Sequence, residues 1–139
     1  MKKILFVATG GTIASKKTEN GLTPQITPEE LISYIPEVEK ICEITAVQPF
    51  NLDSSNVVPE NWSMLVKVIR EHYDAFDGFI IAHGTDTMAY TAAALSYMIQ
   101  NSPKPIVITG AQRPINLDIT DAKTNLSDSF YYALSLIHI

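Results

Sequence analysis

The stretch ILFVATGG, residues 4–11, is a run of apolar side chains that ends in two glycines. A run in which polar and apolar residues do not alternate is typical of a central parallel strand that is buried on both faces. Paired glycines allow the backbone to turn sharply where such a strand ends. We therefore predict a buried strand over Ile4–Thr9 and a turn at Gly10–Gly11.

Three further segments end in small polar residues in the same way. Residues 79–82 (FIIA) precede HGTD, residues 106–108 (IVI) precede TGAQ, and residues 44–50 precede the turn-forming cluster 51–56. Helices are predicted from Pro28 to about Ile35, from Pro59 to about His72, over Met88–Ile99 and from about Asp121. This alternation predicts an α/β fold, a parallel sheet with flanking helices, in which ligands bind outside the carboxyl ends of the strands. The four strand-end loops should meet there.

Two segments carry more specific expectations. Residues 15–24, from Ser15 to Pro24, are mostly polar, so we expect a mobile loop. The helix over Met88–Ile99 is apolar on nearly all sides, and we expect it to lie between the sheet and a partner surface. Tyr90 and Tyr97 lie seven residues apart on this helix, which we interpret as core packing.

The composition excludes several classes of protein. A chain of 139 residues with 46% hydrophobic and 18% charged residues is typical of one globular domain, not of a disordered, collagen-like or coiled-coil chain. A net charge of −5 without a basic run argues against a nucleic-acid partner. Cys42 is the only cysteine, which excludes an intramolecular disulfide and a cysteine-rich metal site.

The sequence shows no sign of export or membrane insertion. The apolar run over residues 4–8 is shorter than the roughly 7–15 residues of a signal peptide, and no stretch approaches the roughly 20 residues that span a bilayer. We expect a cytoplasmic protein with no membrane partner. Because the chain stops in the apolar segment 134–139, we also expect residues 1–139 to be a truncated N-terminal domain whose C-terminal domain is missing.

Thr12 and Thr85 are the candidate nucleophiles. Each follows glycine at a strand end, where backbone N–H groups at a helix start could stabilise an oxyanion or a carboxylate. A hydroxyl attacks only when a base or a cation helps to remove its proton. Asp86 adds a carboxylate that could hold an ammonium group. These residue types together complement a zwitterionic amino acid that carries an amide.

Each candidate also has a structural interpretation. Threonine or aspartate after a strand often caps the next helix, and Ser54 and Ser55 lie in ordinary turn composition. We interpret His83 as a structural hydrogen-bonding residue and Lys123, which could lower a threonine's proton affinity, as solvated. The chain has no phosphate-loop, Gly-x-Ser-x-Gly or His-Glu-x-x-His motif, which argues against nucleotide binding, serine hydrolases and zinc proteases.

Four motifs together carry a family resemblance. TGGTIA, residues 9–14, and HGTDTM, residues 83–88, resemble the two signature motifs of the bacterial-type L-asparaginases, cytoplasmic type I. Thr12 and Thr85 are separated by 85 − 12 = 73 residues, as in that family. DSS, residues 53–55, and ITGAQRP, residues 108–114, resemble its intervening and following segments. The resemblance extends to about Ala133 and corresponds to fewer than half the residues of a complete member.

The resemblance implies hydrolysis of L-asparagine to L-aspartate and ammonia, with no metal or organic cofactor. Thr12 would attack the side-chain amide, and Thr85 would act as a second catalytic threonine. Asp86 would hold the substrate ammonium. Ser54 would bind the α-carboxylate, with Ser55 alongside.

The resemblance has further implications and two departures. Ala111 would contact the amide through its backbone, and the segment 15–24 would close over the substrate. Family members form dimers, often dimers of dimers, so we expect a homodimer or homotetramer of the full-length protein. Many members have a loop tyrosine where this chain has Leu22. The family's catalytic lysine lies in a segment beyond residue 139, so we expect the 139-residue chain alone to be inactive.

Two other functions remain as alternatives. One is an asparaginase-like subunit that supplies ammonia to a tRNA amidotransferase. That subunit carries an extra N-terminal domain, whereas this chain enters its first predicted strand at Lys2. The other is a non-catalytic amino-acid-binding domain, in which the threonines and Asp86 bind a zwitterion without chemistry.

Overall fold

A computed structural model describes residues 1–137. In chain order, its elements are β1 (Lys2–Ala8), β2 (Ser15–Thr18), β3 (Gly21–Pro24), α1 (Pro28–Ser33), β4 (Cys42–Val47), α2 (Pro59–His72), β5 (Gly78–Ala82), α3 (Met88–Met98), β6 (Ile106–Thr109) and α4 (Ala122–Ile137). Short 3₁₀ helices cover Thr12–Ala14, Val38–Lys40 and Ser54–Asn56. The predicted strands and helices are all present, and their ends differ by at most a few residues.

Four strands form the parallel sheet that the sequence predicts, in the order β4-β1-β5-β6. β1 lies in the interior, where Phe6 pairs with Ala46 of β4 and with Ile80 of β5. Residues 4–8 are between 0 and 1% exposed, as expected for a strand that is covered on both faces. All four strands point the same way, so their carboxyl ends lie at one edge of the sheet.

Side chains on the two faces of β1 pack into two separate hydrophobic cores. Ile4 and Phe6 belong to the core under α1 and α4, where the Phe6 and Phe130 rings lie 6.2 Å apart. Leu5 and Val7 belong to the core under α2 and α3. Burying each such side chain contributes about 1.5–3 kcal/mol relative to leaving it exposed. The result is a three-layer α/β structure.

Local hydrogen bonds explain where two of the helices begin. The Thr27 hydroxyl accepts from the backbone N–H of Glu30 at 3.1 Å, which caps α1 just before its first residue, Pro28. At the start of α2 the Asn61 side chain accepts from the backbone N–H of Val58 at 2.9 Å. Both starts agree with the positions that the sequence predicts.

The segment 15–24, where we predict a mobile loop, contains two paired strands. β2 and β3 pair as an antiparallel hairpin. Gly21 turns the chain with a φ of 96°, and the Thr18 hydroxyl donates to its carbonyl at 2.8 Å. The Lys16 ammonium lies 3.0 Å from the Glu30 carboxylate of α1. The segment has few apolar residues to bury, so its structure depends on the backbone pairing and on these two side-chain contacts.

The interpretation of Tyr90 and Tyr97 as core residues is wrong. The two side chains are 69% and 79% exposed, while Thr91 and Leu95 form the buried face of α3. A seven-residue spacing places two residues on the same face of a helix but does not say which face meets the sheet. In a helix that is apolar on nearly all sides, the hydrophobic pattern cannot supply that information.

Three smaller points concern membrane-spanning helices, the cysteine and the end of the chain. None of the helices in residues 1–137 is both long and apolar enough to cross a membrane. Cys42 is 2% exposed, and burial raises its pKa to about 11, so its thiol is protonated at neutral pH. Residues 138–139 of the apolar end segment lie outside the described residues.

Candidate active site

The loops after the four parallel strands meet at one edge of the sheet, as predicted. The Thr9 N–H donates to the Ala82 carbonyl at 3.1 Å, which joins the loop after β1 to the end of β5. The Leu52 N–H donates to the Thr9 carbonyl at 2.9 Å, and the Gly11 N–H donates to the Leu52 carbonyl at 3.0 Å. Pairing between neighbouring strands therefore continues into the loops and fixes their relative positions.

Glycines allow these loops to approach more closely than side chains would permit. A Cβ atom on Gly11, whose φ is 77°, would lie 2.5 Å from the Gly84 Cα. A Cβ atom on Gly84 would lie 2.5 Å from the Ser54 Cβ and 2.6 Å from its hydroxyl oxygen. The sequence identified these glycines only as turn residues. Their contacts place three loops against one another beside Thr12 and Thr85.

A small cavity of about 50 Å³ lies where the loops meet. Four of the predicted site residues line it: Thr12, Ser54, Thr85 and Asp86. Ser15, Leu22, Pro24 and Asp53 contribute to the same wall. Residues that are 73 positions apart in the chain therefore face one space. The other two predicted residues, Ser55 and Ala111, do not line this cavity.

The two threonines lie at the ends of β1 and β5. Thr12 begins a 3₁₀ helix directly after the turn at Gly10 and Gly11, and both threonines are partly exposed. Within residues 1–137, no hydrogen bond engages either hydroxyl, and no lysine, arginine or histidine lines the cavity. Among the residues that the structure describes, the cavity wall thus offers two hydroxyls but no basic side chain beside them.

Lys123 does not supply the missing cation. Its ammonium lies 5.7 Å from the centre of the Tyr34 ring, and it is not part of the cavity wall. Lys123 is exposed, which agrees with its interpretation as a solvated residue.

Ser54 connects the loop after β4 to the loop that carries Asp86. Its hydroxyl oxygen accepts from the Asp86 backbone N–H at 3.1 Å, and its carbonyl accepts from the Thr87 hydroxyl at 2.8 Å. Ser54 is only 3% exposed. Since its hydroxyl accepts from Asp86, the Ser54 O–H proton can be donated to a ligand.

Asp53 is a second carboxylate in the cavity wall, and the sequence did not single it out. One carboxylate oxygen accepts from the Ser55 backbone N–H at 2.9 Å and from the Ser55 hydroxyl at 2.8 Å. These hydrogen bonds, the backbone one first, lower the pKa of Asp53, so the group is ionised at neutral pH. The Ser55 hydroxyl is therefore used within the turn, and the cavity wall carries two acidic side chains.

Ala111 lies in the loop after β6 and does not line the cavity. The residue is 2% exposed and belongs to the core under α1 and α4. The preceding residue, Gly110, packs against the loop that carries Thr85, since a Cβ atom there would lie 2.4 Å from the His83 carbonyl oxygen and 3.4 Å from Thr85 Cγ2. A contact between the Ala111 backbone and a substrate stays a prediction.

His83 is a buried structural residue, as expected from the sequence. It is 0% exposed, its Nδ1 lies 2.7 Å from the Gly84 carbonyl, and its Nε2 lies 2.9 Å from the Thr91 hydroxyl. The Trp62 indole N–H donates to the same hydroxyl at 3.0 Å. Because the hydroxyl accepts from Trp62, it can donate to Nε2, which leaves the His83 proton on Nδ1 to bond the Gly84 carbonyl. Nothing in the residue pattern indicates that Trp62 and Thr91 take part.

This network predicts a dependence of stability on pH. Desolvation by burial is the main effect that lowers the His83 pKa below its usual 6.5. The unfolded chain therefore takes up a proton at a higher pH than the folded chain, so stability is fully present above 6.5 and is lost as the pH falls through the folded-state pKa. Each unit of lowering corresponds to about 1.4 kcal/mol at low pH.

Urea unfolding at pH 7.5 and at pH 5 measures this effect. We expect the wild-type free energy of unfolding to fall over this interval, and the fall to be smaller in His83→Gln. The matched control is His72→Gln, which removes a partly buried histidine of α2. An equal fall in wild type and His83→Gln would contradict the assignment.

The close contact between Gly84 and Ser54 gives a second prediction. Gly84→Ala should reduce the free energy of unfolding by about 1–3 kcal/mol, because the new methyl group overlaps the Ser54 side chain. In a Ser54→Gly background the same change should cost less, since the overlapping atoms are gone. Urea unfolding of the four proteins measures this coupling.

Gly21→Ala is the control for the Gly84 experiment. It meets nothing within 4 Å, so its cost comes from backbone conformation and should be the same in both backgrounds. A Gly84→Ala cost that does not change when Ser54 becomes glycine would show that the two loops do not pack as described.

Larger grooves lie elsewhere and do not gather the predicted residues. A groove of about 590 Å³ between α3 and β6 is lined by residues that include Leu95, Lys104 and Ile108. A second, of about 400 Å³, lies beside α2 and α3. Over residues 1–137 no group of three or more histidine, cysteine or acidic side chains is arranged to hold a metal ion. The small strand-end cavity is therefore the candidate site on chemical grounds.

Comparison with known families matches this chain to one domain model. Residues 3–138 match the model described as "Asparaginase, N-terminal". The L-asparaginase of Thermococcus kodakarensis is 40% identical over 132 residues, which cover 94% of this chain and 40% of that protein. A solved structure from the same organism, described as a thermostable L-asparaginase, superposes with a TM-score of 0.87 at 39% identity, and the match covers 96% of this chain and 41% of the other.

Two more proteins show the range of the similarity. A structure from Campylobacter jejuni, described as a probable cytoplasmic L-asparaginase, has a TM-score of 0.86 at 34% identity and covers 96% of this chain and 40% of the other. A glutamyl-tRNA(Gln) amidotransferase subunit of Metallosphaera sedula is 40% identical over 134 residues, which are 94% of this chain and 30% of that protein. The chain thus spans less than half the length of these relatives.

Proposed function

The chain belongs to the asparaginase family, whose N-terminal domain it matches over residues 3–138, and from this premise we propose that the strand-end cavity is one side of an L-asparaginase active site. By the full-length protein we mean this chain continued by the part that its relatives have beyond the matched region. Its proposed reaction is the hydrolysis of L-asparagine to L-aspartate and ammonia. The meeting of Thr12, Thr85 and Asp86 in one cavity is the observation that supports it most.

Thr12 is the proposed nucleophile. Its oxygen attacks the side-chain amide carbon of asparagine, the C–N bond breaks, and the threonine proton accompanies the leaving nitrogen as ammonia is released. Water then attacks the resulting ester, which returns the proton to Thr12 and releases L-aspartate. Each half-reaction develops negative charge on the carbonyl oxygen, which donors such as N–H and O–H groups stabilise.

Thr85 is the proposed second catalytic threonine. It lies in the same cavity wall, and its hydroxyl is not used in a hydrogen bond to another described residue. It can therefore turn towards a bound amide. The base that removes the Thr12 proton lies outside residues 1–137 in this proposal. No lysine, arginine or histidine lines the cavity, the Asp53 carboxylate accepts hydrogen bonds from Ser55, and the Asp86 carboxylate is assigned to the substrate ammonium.

Asp86 and Ser54 are proposed to hold the two ends of the amino acid. The Asp86 carboxylate is exposed at the cavity and complements an ammonium group. The Ser54 O–H can donate to the α-carboxylate, since its oxygen already accepts from the Asp86 N–H. Ser55 is proposed to assist through the same turn, and Ala111 through its backbone. The reaction needs neither metal nor organic cofactor.

The hairpin formed by β2 and β3 is the proposed cover of the site. Leu22 and Pro24 of the hairpin form part of the cavity wall. We infer that the hairpin opens to admit substrate and closes to exclude water.

Location and assembly follow from the same proposal. The full-length protein is proposed to be a cytoplasmic homodimer or homotetramer that takes L-asparagine as a small-molecule substrate. Similarity to the Campylobacter jejuni protein supports the location, since that protein is described as a probable cytoplasmic L-asparaginase. Nucleic acid and membrane are not among the proposed partners.

The amidotransferase subunit is the second candidate, because the Metallosphaera sedula protein matches this chain at the same 40% identity as the Thermococcus kodakarensis enzyme. The purified full-length protein distinguishes the candidates in an ammonia-release assay with free L-asparagine, combined with calorimetry. Release without any partner supports the asparaginase. Release that requires a partner subunit and tRNA supports the second candidate. Binding of L-asparagine without release under either condition supports a binding domain.

A further inference from the structure

Two residues at the start of α4 hold the peptide groups on both sides of Ala111. The Asn125 side-chain amide donates to the Gly110 carbonyl at 2.9 Å. The Asp121 carboxylate accepts from the Gln112 backbone N–H at 2.9 Å and, through its other oxygen, from the next backbone N–H along the chain at 3.1 Å. Side chains from one helix end therefore hold the backbone before and after Ala111.

These bonds fix the direction of the Ala111 backbone. A trans peptide group is planar, and its N–H and C=O point in opposite directions. When the Gln112 N–H points to Asp121, the Ala111 carbonyl in the same peptide group points away from it. When the Gly110 carbonyl points to Asn125, the Ala111 N–H points away from Asn125. Both polar groups of Ala111 are therefore turned away from α4.

The two holding residues are themselves well anchored. They lie four positions apart, one helical turn, and the Asn125 N–H donates to the Asp121 carbonyl at 3.0 Å. The Asn125 side chain also lies 3.4 Å from the Asp121 carboxylate. The Ser129 hydroxyl donates to the Asn125 carbonyl at 2.7 Å. The backbone bond from Gln112 is the largest effect that lowers the pKa of Asp121, so its carboxylate is charged at neutral pH.

The loop after β6, which contains Ala111, contacts the segments that carry Thr12 and Thr85. Gly110 packs against the His83 carbonyl and next to Thr85 Cγ2. Further along, the Ile115 N–H donates to the carbonyl of Ile13 at 3.2 Å, one residue after Thr12. A shift of this loop would therefore reach both sides of the cavity.

We propose that Asp121 and Asn125 are positioning residues: by holding the backbone on both sides of Ala111, they fix the loop after β6 against the segments that carry Thr12 and Thr85. The proposal rests on the proposed function, since it needs those threonines to take part in the reaction. Neither side chain lines the cavity, so each acts through the backbone that it holds. From the sequence, Asp121 is recognisable only as the start of a helix and Asn125 only as a neighbour of Lys123.

Steady-state kinetics of the full-length protein with L-asparagine test this proposal. We expect Asp121→Ala and Asn125→Ala to lower kcat by about 10- to 100-fold while KM changes by less than about threefold, because the loss falls on orientation in the transition state. Asp121→Asn keeps one acceptor of similar shape and should retain more activity than Asp121→Ala.

Two exposed residues of the same loop provide matched controls. Asp118→Asn makes the same charge change as Asp121→Asn, and Asn116→Ala makes the same truncation as Asn125→Ala. Both should leave kcat within about twofold of wild type. All rates are expressed per folded protein, measured by circular dichroism. If Asp121→Ala does not fold, Asp121→Asn and Asn125→Ala carry the test.

The possible outcomes separate the two claims. An active wild type whose Asp121 and Asn125 variants have the kcat of the controls overturns the positioning role and leaves the proposed function intact. A lower yield of folded protein with an unchanged kcat has the same meaning, since it shows a purely structural role. A wild type that releases no ammonia overturns the proposed function, and the positioning role fails with it.

Discussion

Replacing Thr12 by alanine is expected to lower the turnover of L-asparagine by the full-length protein at least ~100-fold. The change removes the oxygen that attacks the amide, so the covalent route is closed. Its effect on folding should be small, because Thr12 is partly exposed and its hydroxyl bonds to no residue within 1–137. The measurement is ammonia release at saturating substrate, with the fold checked by circular dichroism.

Thr12→Ser and Ser15→Ala test the specificity of that loss. Serine retains the attacking hydroxyl, so Thr12→Ser should keep much more activity than Thr12→Ala. Ser15 also lines the cavity, but its hydroxyl donates to the Gly11 carbonyl at 2.8 Å and is used within the turn. Ser15→Ala should therefore be less harmful than Thr12→Ala. Near-normal turnover in Thr12→Ala would remove Thr12 from the nucleophile's role.

Thr85→Val is the second change with a large expected effect. Valine has nearly the shape of threonine, so the variant loses a hydroxyl in the cavity without losing volume. If Thr85 assists in the transition state, turnover should fall at least ~100-fold while L-asparagine still binds. Ammonia release gives the rate, and calorimetry gives the affinity.

Thr124→Val is the control for Thr85→Val. Thr124 is an exposed residue of α4, and the change is chemically identical. It should leave turnover and binding as in wild type. A Thr85→Val protein as active as Thr124→Val would show that Thr85 only packs against the loop after β6.

The strand pattern of the fold could be predicted because burial leaves a strong pattern in the sequence. A central strand such as Ile4–Ala8 must be apolar on both faces, and its five residues are 0–1% exposed. Parallel strands bring their carboxyl ends to one edge, which is why Thr12 and Thr85 could be expected to meet across 73 residues. The start of α1 after Thr27 could be predicted for a different reason, since the capping threonine is next to the helix in the sequence.

The remaining features depend on contacts that one sequence does not reveal. The hairpin over residues 15–24 depends on backbone pairing and on an ion pair with Glu30, not on its own composition. The closeness of Gly84 to Ser54 depends on how two distant loops pack. Asp53 and Trp62 matter through partners that the pattern of residue types does not identify.

A crystal structure of the full-length protein with L-aspartate bound tests the central claim most directly. We predict that the ligand lies in the strand-end cavity, with Thr12 Oγ1 about 3–3.5 Å from its side-chain carboxyl carbon. Its ammonium nitrogen should lie within about 2.7–3.2 Å of the Asp86 carboxylate. A ligand bound elsewhere, or bound in the cavity with neither Thr12 nor Asp86 in contact, would contradict it.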